Sequence, residues 1–317
     1  MDRSVKVVFM GTPDFAVPSL DALLKASFVE VPLVITQPDK PAGRGKRLTP
    51  PSVKVFAEMN GIPVIQPKNI KGNEELFQLI RKISPDFIVV AAYGKILPEE
   101  ILEIPLVAPL NVHASLLPKY RGASPIQSVL LNGEKETGVT IMRVREKLDS
   151  GEMYLWDSTP IYLDDNAQTL HDKLADMGGK LIVKAIKGIL SGDLKPIPQN
   201  DDEATYCTQI KKIDGFINWS DSSDRIFNKI RAFTPWPSVF TYFNGKLLKI
   251  LKGISFEGEG GFPGEIVDIS DNFTVSTAKG FLKVLEVKPE GKKKMSGSDF
   301  VRGYRVKTGD KLGGKNA

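Results

Sequence analysis

Asn111 and His113 are the residues of this chain whose types and spacing most directly offer chemistry. They stand in "NVHASLLPKYRG" (111–122), directly after an apolar run. Two positions apart on an extended segment, their side chains share one face. An imidazole exchanges protons near neutral pH, and a carboxamide NH₂ is an uncharged donor for a developing oxyanion. Neither is a ready lasting nucleophile here, and Ser115 is not in a G-x-S-x-G elbow. The pair therefore suits attack on a carbonyl by a nucleophile that the substrate brings. The same residues also fit a histidine that only caps a strand and bonds to backbone.

A carboxylate is wanted beside the imidazole. Asp149 in "LDSGEM" (148–153) follows the strand-like "TGVTIMRV" and precedes Ser150-Gly151, so it can approach another strand end. Asp86, Asp39 and Asp14 compete with it, and turn formation accounts for any of the four. The second histidine, His171, sits in "QTLHDKLADMG" and reads as a surface or groove position on a helix. Cys207 is the one cysteine. It excludes an intrachain disulfide and a cysteine-rich zinc site, and reads as structural or incidental.

The elements that must position these groups follow from patterning. "VKVVFM" (5–10), "VEVPLVIT" (29–36), "IPVI" (62–65), "DFIVVAA" (86–92) and "PLNVHA" (109–114) are short apolar strands. Helical patterns at 16–26, 53–59 and 73–83 alternate with them. This predicts an α/β domain with an open, mostly parallel sheet and Rossmann-like layering. Asn111 and His113 then fall at a strand's C-terminal end, where such folds place chemistry. Gly11 follows the first strand alone, without the G-x-G-x-x-G spacing of a dinucleotide site. The character changes after Pro196. Short alternating strands from "SVFTYF" to "FLKVLEV", separated by turns such as Asn244-Gly245, predict a small OB-like β-barrel. The expected division is residues 1–195, a linker at 196–208 and a second domain at 209–317.

Charge is distributed unevenly in a chain of 317 residues and formal net charge +5. "PDKPAGRGKRLTPPSVK" (38–54) holds Lys40, Arg44, Lys46, Arg47 and Lys54 against Asp39. Its four prolines and two glycines predict irregular backbone that presents cations to phosphates, or a solvated surface loop. Residues 288–317 contain nine Lys/Arg and three Asp/Glu, densest at "GKKKMSG" with Lys293 and Lys294. No run is long and apolar enough for a membrane span. The first residues lead into a strand without an apolar leader, and together with the single cysteine this suggests a cytoplasmic setting.

The chain resembles the methionyl-tRNA formyltransferase family, within the folate-dependent formyltransferases. The matching stretches are "FMGTPDFAVPSLDALL", "TQPDKPAGRGKRLTPPSVK", "VVAAYGKILP", "NVHASLLPKYRGASPIQ", "ETGVTIM", "LDSGEM" and "IRAFTPWPSVFTYF". The resemblance implies Asn111, His113 and Asp149 as a catalytic trio. It implies 10-formyltetrahydrofolate as co-substrate, no metal, and formyl transfer to the α-amine of methionine on initiator tRNA. It puts the folate beside Tyr93, Gly94, Ile96 and Leu97 and the neighbouring wall of Ser115, Leu116, Leu117 and Pro118. For Ile96 and Leu97 the residues alone favour plain core packing. It puts tRNA on Lys40, Arg44, Lys46, Arg47, Lys293 and Lys294, and implies a monomer. A related formyltransferase acting on another amine, a formyl-folate hydrolase and a noncatalytic tRNA-binding protein are the alternatives. Two departures stand out: "LDSG" where the family has "LDTG", and the charged "RVREK" (143–147) before it.

Overall fold

A computed structural model describes residues 4–42, 45 and 47–314. The elements run β1 (Val5–Gly11), α1 (Val17–Lys25), β2 (Val29–Ile35), β3 (Lys40–Ala42), β4 (Arg47–Thr49), α2 (Ser52–Met59), β5 (Val64–Ile65) and α3 (Glu74–Ile83). They continue with β6 (Phe87–Ala91), α4 (Glu99–Leu102), β7 (Ala108–His113), β8 (Arg121–Gly122), α5 (Pro125–Leu131), β9 (Glu136–Arg143), β10 (Met153–Pro160), α6 (Ala167–Ser191) and β11 (Tyr206–Cys207). The remainder is α7 (Ser223–Ala232), β12 (Val239–Phe243), β13 (Lys246–Phe256), β14 (Ile266–Asp268), β15 (Phe273–Ser276), β16 (Phe281–Pro289), β17 (Met295–Ser296), α8 (Gly297–Tyr304) and β18 (Leu312–Gly313).

One compact unit draws on the chain up to Gly122, on 136–160 and on 171–207. Its sheet has the order β10-β9-β7-β6-β1-β2-β5. β5, β2, β1, β6 and β7 are parallel, while β9 and β10 add an antiparallel edge. Both side-chain parities of the central strands are buried. Val8, Met10, Ile88 and Val90 pack with Leu76, Phe77 and Ile80 of α3; Val7, Phe9, Phe87 and Val89, of opposite parity, are equally inaccessible. That two-sided burial is why these strands read as continuous apolar runs rather than alternating ones. α3 is well specified: the Asn73 side chain caps it, Glu74 and Glu75 open it, and Arg81 and Lys82 close it. Chain crossovers leave β1 in opposite directions towards β2 and β6, so a crevice is expected at the C-terminal ends of β1 and β6.

The expected irregular basic loop is instead a two-stranded ribbon where it is described. Lys40 pairs with Thr49 and Pro41 with Leu48. A ribbon has free edges, so Pro41 sits in it without costing a needed N–H. Gly43, Arg44 and Lys46 lie outside the described residues.

The second unit combines residues 123–135, 161–170 and the chain from Thr208 onward. Its antiparallel sheet runs β14-β15-β16-β13-β12-β18, with β17 on β16. The two ends of that path meet. The Ile266 N–H donates to Asp310 O at 2.8 Å, and Leu312 N–H to Gly264 O at 2.7 Å. Glu265 and Lys311 form an antiparallel bridge. The sheet thus curls until its two ends touch over this short stretch, in keeping with the predicted barrel character. Its interior holds Trp219, Phe273, Val275, Leu282, Val284 and Phe300. Asn244-Gly245 joins β12 and β13 with positive φ at both positions, the geometry for which Asn-Gly is favoured.

Candidate active site

The C-terminal end of β7 carries Asn111 and His113, as the alternation in the sequence predicts. Asn111 pairs in register with Val90 of β6, so their side chains share a face. Val90 belongs to the cluster that contains Tyr93 and Leu97. Among the described residues the Asn111 carboxamide has no hydrogen-bond partner, so its NH₂ donors are uncommitted.

His113 is 5 % exposed. Its Nε2 lies 3.0 Å from the Tyr120 carbonyl, an obligate acceptor, so this nitrogen carries the proton. Its Nδ1 lies 3.7 Å from Asp149 Oδ2. Both ring nitrogens therefore face oxygen acceptors. The 3.7 Å separation is longer than a direct hydrogen bond, leaving the pair room to tighten.

Of the four carboxylates in competition, Asp149 is the one against His113. Asp86 accepts the Lys6 N–H at 2.8 Å, a strand-end duty. Asp39 is bound by Gln66 and Lys54, which hold its carboxyl below the ordinary range. Asp14 pairs with His171 at 3.4 Å. His171 also meets Asp172 at 2.9 Å and the edge of Phe15, and so is a groove histidine remote from the reacting pair in role.

Asp149 adopts φ +46°, a left-handed conformation unusual for any residue but Gly, Asn and Asp. Its Oδ2 accepts the Gly122 N–H at 2.9 Å. Gly151 allows the loop to fold back, because a Cβ there would collide with the Arg143 carbonyl oxygen. Gly122 is required for a similar reason: its φ is +117°, and a Cβ would strike the Cys207 carbonyl. Arg121 and Gly122 form β8, which pairs with β11.

Arg121 is the first residue of β8. It is wholly buried, and its guanidinium makes four hydrogen bonds. Its guanidinium donates to Gln199 Oε1 from Nε at 3.0 Å and from Nη2 at 2.8 Å, to Asp201 at 2.8 Å and to the Tyr206 hydroxyl at 3.2 Å. Gln199 in turn donates to the carbonyls of Asp149 and Gly151. The stretch expected to be a linker thus carries part of the site's support. Cys207 has a local role as well, donating its thiol to the Arg121 carbonyl at 3.3 Å.

The charged "RVREK" departure now has an account. Arg145 forks onto Glu152 at 2.7 and 3.2 Å, and Lys147 meets Asp201 at 2.9 Å. Arg145 holds the Glu152 carboxyl below its ordinary value, and Lys147, then Arg121, do so for Asp201. These pairs border a cavity of about 250 Å³ behind the Asp149 loop.

The segment after β6 differs from the core-packing expectation at one of its two apolar positions. Leu97 is buried with Tyr93, but Ile96 is 81 % exposed. The Tyr93 carbonyl is held by Thr12 Oγ1 at 2.9 Å and Gln37 Nε2 at 2.7 Å. Burial pushes the Tyr93 phenol up to about 12. Among the described residues no hydrogen bond engages the backbone of Gly94, Ile96 or Leu97. Free backbone groups beside an exposed apolar side chain are a fitting surface for a flat, hydrogen-bonding ring.

In the turn after β7, Ser115 spends its hydroxyl on Lys119 O at 2.7 Å, and its carbonyl accepts from Thr140. Thr140 also accepts the Leu117 N–H. Leu117 packs with Met142 and Met153, and Leu116 lies over Gly138. Pro118 follows Leu117 through a cis peptide bond.

Lys40 and Arg47 are exposed on the β3–β4 ribbon, while Arg44 and Lys46 lie outside the described residues. Lys54 is committed to Asp39 and Gln66. Lys293 and Lys294 are exposed in the turn between β16 and β17, Lys294 3.5 Å from Glu286. Among the described residues no group of three or more His, Cys, Asp or Glu side chains is arranged to hold a metal ion. No described helix is long and apolar enough to cross a membrane.

Comparison with known proteins meets this geometry. Residues 5–186 match the family described as "Formyl transferase", and 209–305 match "Formyl transferase, C-terminal domain". Methionyl-tRNA formyltransferase of Caldanaerobacter subterraneus subsp. tengcongensis is 45 % identical over 306 residues, covering 96 % of this chain and 99 % of that one. The protein of the same name from Carboxydothermus hydrogenoformans is 47 % identical over 308 residues, with 96 % and 99 % covered. Among solved structures, an N-formyltransferase from Helicobacter canadensis, complexed with folinic acid and dTDP-3-aminofucose, superposes with TM-score 0.66 at 24 % identity. It covers 88 % of this chain and 99 % of that one. HypX from Aquifex aeolicus, in complex with tetrahydrofolic acid, superposes with TM-score 0.60 at 16 % identity, covering 94 % and 47 %. These two show the shared fold. The chain belongs to the formyl transferase family, in its methionyl-tRNA formyltransferase branch.

Proposed function

We propose that this enzyme moves the formyl group of 10-formyltetrahydrofolate to the α-amine of methionine esterified to initiator tRNA, and that Asn111, His113 and Asp149 carry the reaction. The observation behind the residue assignment is their convergence: a free carboxamide, a buried imidazole and a carboxylate 3.7 Å from it at one strand end. 10-Formyltetrahydrofolate supplies an activated formyl carbon when bound. The amine is the nucleophile. A new C–N bond forms to it, the C–N bond to the folate breaks, and one proton passes overall from the amine to the departing folate nitrogen. Asn111 donates to the formyl oxygen as negative charge grows there. His113, held at Nε2 by Tyr120, presents the proton on its other side, and Asp149 stabilises that charged ring.

The pterin end lies along Tyr93, Gly94, Ile96 and Leu97 in this reading. Ile96 covers the ring and the unengaged backbone pairs with its edge. Ser115, Leu116, Leu117 and Pro118 form the opposite wall, with Ser115 acting through the shape of its turn. Lys40, Arg44, Lys46 and Arg47 contact tRNA phosphates near the acceptor end, and Lys293 and Lys294 contact them further along. Within residues 1–195 the segments that belong to the first unit, extended to Cys207, form the catalytic part, and residues 209–317 form the tRNA-holding part. The enzyme works as a cytoplasmic monomer.

The test is labelled-formyl transfer with methionyl initiator tRNA, uncharged tRNA and no tRNA in parallel. Label on methionine only in the charged sample is expected. Equal release of tetrahydrofolate in all three would mean hydrolysis. Binding of tRNA without turnover would mean a binding protein.

A further inference from the structure

We infer that Gln199 is a positioning residue for Asp149, acting as the middle of a brace anchored on Arg121. The inference rests on the catalytic reading of Asp149 just given. Gln199 saturates its amide: Nε2 donates to Asp149 O at 2.9 Å and to Gly151 O at 2.7 Å, while Oε1 accepts twice from Arg121. The orientation is fixed by chemistry. A guanidinium only donates and the two carbonyls only accept, so a flipped amide would lose every bond.

The brace reaches both members of the reacting pair. Arg121 is flanked in the chain by Tyr120, whose carbonyl holds His113 Nε2, and by Gly122, whose N–H holds Asp149 Oδ2. Gln199 ties the same guanidinium to the Asp149 backbone. His113 and Asp149 are thereby referenced to one buried cation. Asp149 needs such a reference, since its left-handed backbone persists only where the surroundings over-determine it. Gln199 itself is set by the Met153–Ile197 backbone pair upstream and the β8–β11 pairing downstream.

Gln199→Glu tests this. The carboxylate keeps an acceptor for Arg121 but turns an oxygen towards two carbonyl oxygens, so the Asp149 loop shifts while the Arg121 anchor stays. The expected result is a fall in kcat on the order of 10- to 100-fold, with KM for folate and for methionyl-tRNA within about twofold of wild type. The pH profile of kcat should move, because the His113–Asp149 separation changes. In an Asp149→Asn background, adding Gln199→Glu should cost less than about twofold more, since Gln199 acts through Asp149. Gln199→Met, of similar size and without hydrogen bonds, provides the same cycle if the Glu variant does not fold. Wild-type kcat in Gln199→Glu, or losses that multiply in the double variant, would overturn the inference. Failure of both variants to fold would also overturn it, making residue 199 purely structural. Full activity of Asp149→Asn alone would instead sink the catalytic reading on which the brace depends.

Discussion

Asp149→Asn isolates the charge of the site from its shape. Asparagine tolerates the left-handed φ of +46°, where alanine would be strained. Its Oδ1 can accept the Gly122 N–H in place of the carboxylate, so the loop has no reason to move. What is lost is the attraction between the carboxylate and the positive charge that develops on the His113 ring as it moves a proton in the transition state. At 3.7 Å and an effective dielectric near 20, two unit charges attract by about 4.5 kcal/mol. Both groups are mostly buried, at 6 % and 15 % side-chain exposure, so screening removes only part of this. At about 1.4 kcal/mol per factor of ten, a loss of roughly 10²- to 10³-fold in the chemical step follows. Single-turnover formyl transfer with saturating folate and methionyl-tRNA measures that step directly. A thermal melt within about 3 °C of wild type would show that the fold is intact. Transfer within threefold of wild type would refute the electrostatic role. A large rate loss accompanied by a collapse in melting temperature would mean that the carboxylate is structural.

Other outcomes follow from the same geometry. Asn111→Ala removes an uncommitted donor and should lower kcat by about 10²–10³ while filter-binding affinity for tRNA is kept. Arg47→Ala should flatten the dependence of log Kd for tRNA on log salt by somewhat under one unit and leave transfer at saturating tRNA intact. Gly151→Ala drives a Cβ into the Arg143 carbonyl, so it should destabilise the fold by about 1–3 kcal/mol in urea and depress kcat through Asp149. The Tyr93 phenol titrates near 12 when folded against about 10 unfolded. Its contribution is therefore complete below pH 10 and is lost as pH rises towards 12, by about 2–3 kcal/mol in all. Tyr93→Phe should remove that alkaline loss in urea melts at pH 10–12 without loss of stability at pH 7, since the buried hydroxyl has no protein partner among the described residues.

The local pattern of this chain determined its strands, several helix ends, the barrel character of its second half and the pairing of Asn111 with His113. Those features are set by side-chain alternation, capping and turn chemistry, which act over a few residues. The choice of Asp149 over Asp86, Asp39 and Asp14 rested on family resemblance. No spacing rule reaches the 36 positions that separate it from His113 in sequence. Pro41 misled because proline opposes strands in general, yet a two-stranded ribbon has edges that do not need its N–H. Ile96 read as core because apolar residues usually are, while the turn after β6 leaves it in solvent and buries its neighbour Leu97. Gln199 was hidden in a proline- and acid-rich stretch with no periodicity. Its importance arises only when the chain returns past β10 and brings its amide between a buried guanidinium and two carbonyls. Hydrogen-bond complementarity of that kind joins residues 78, 50 and 48 positions apart, and tertiary structure alone decides which of them meet.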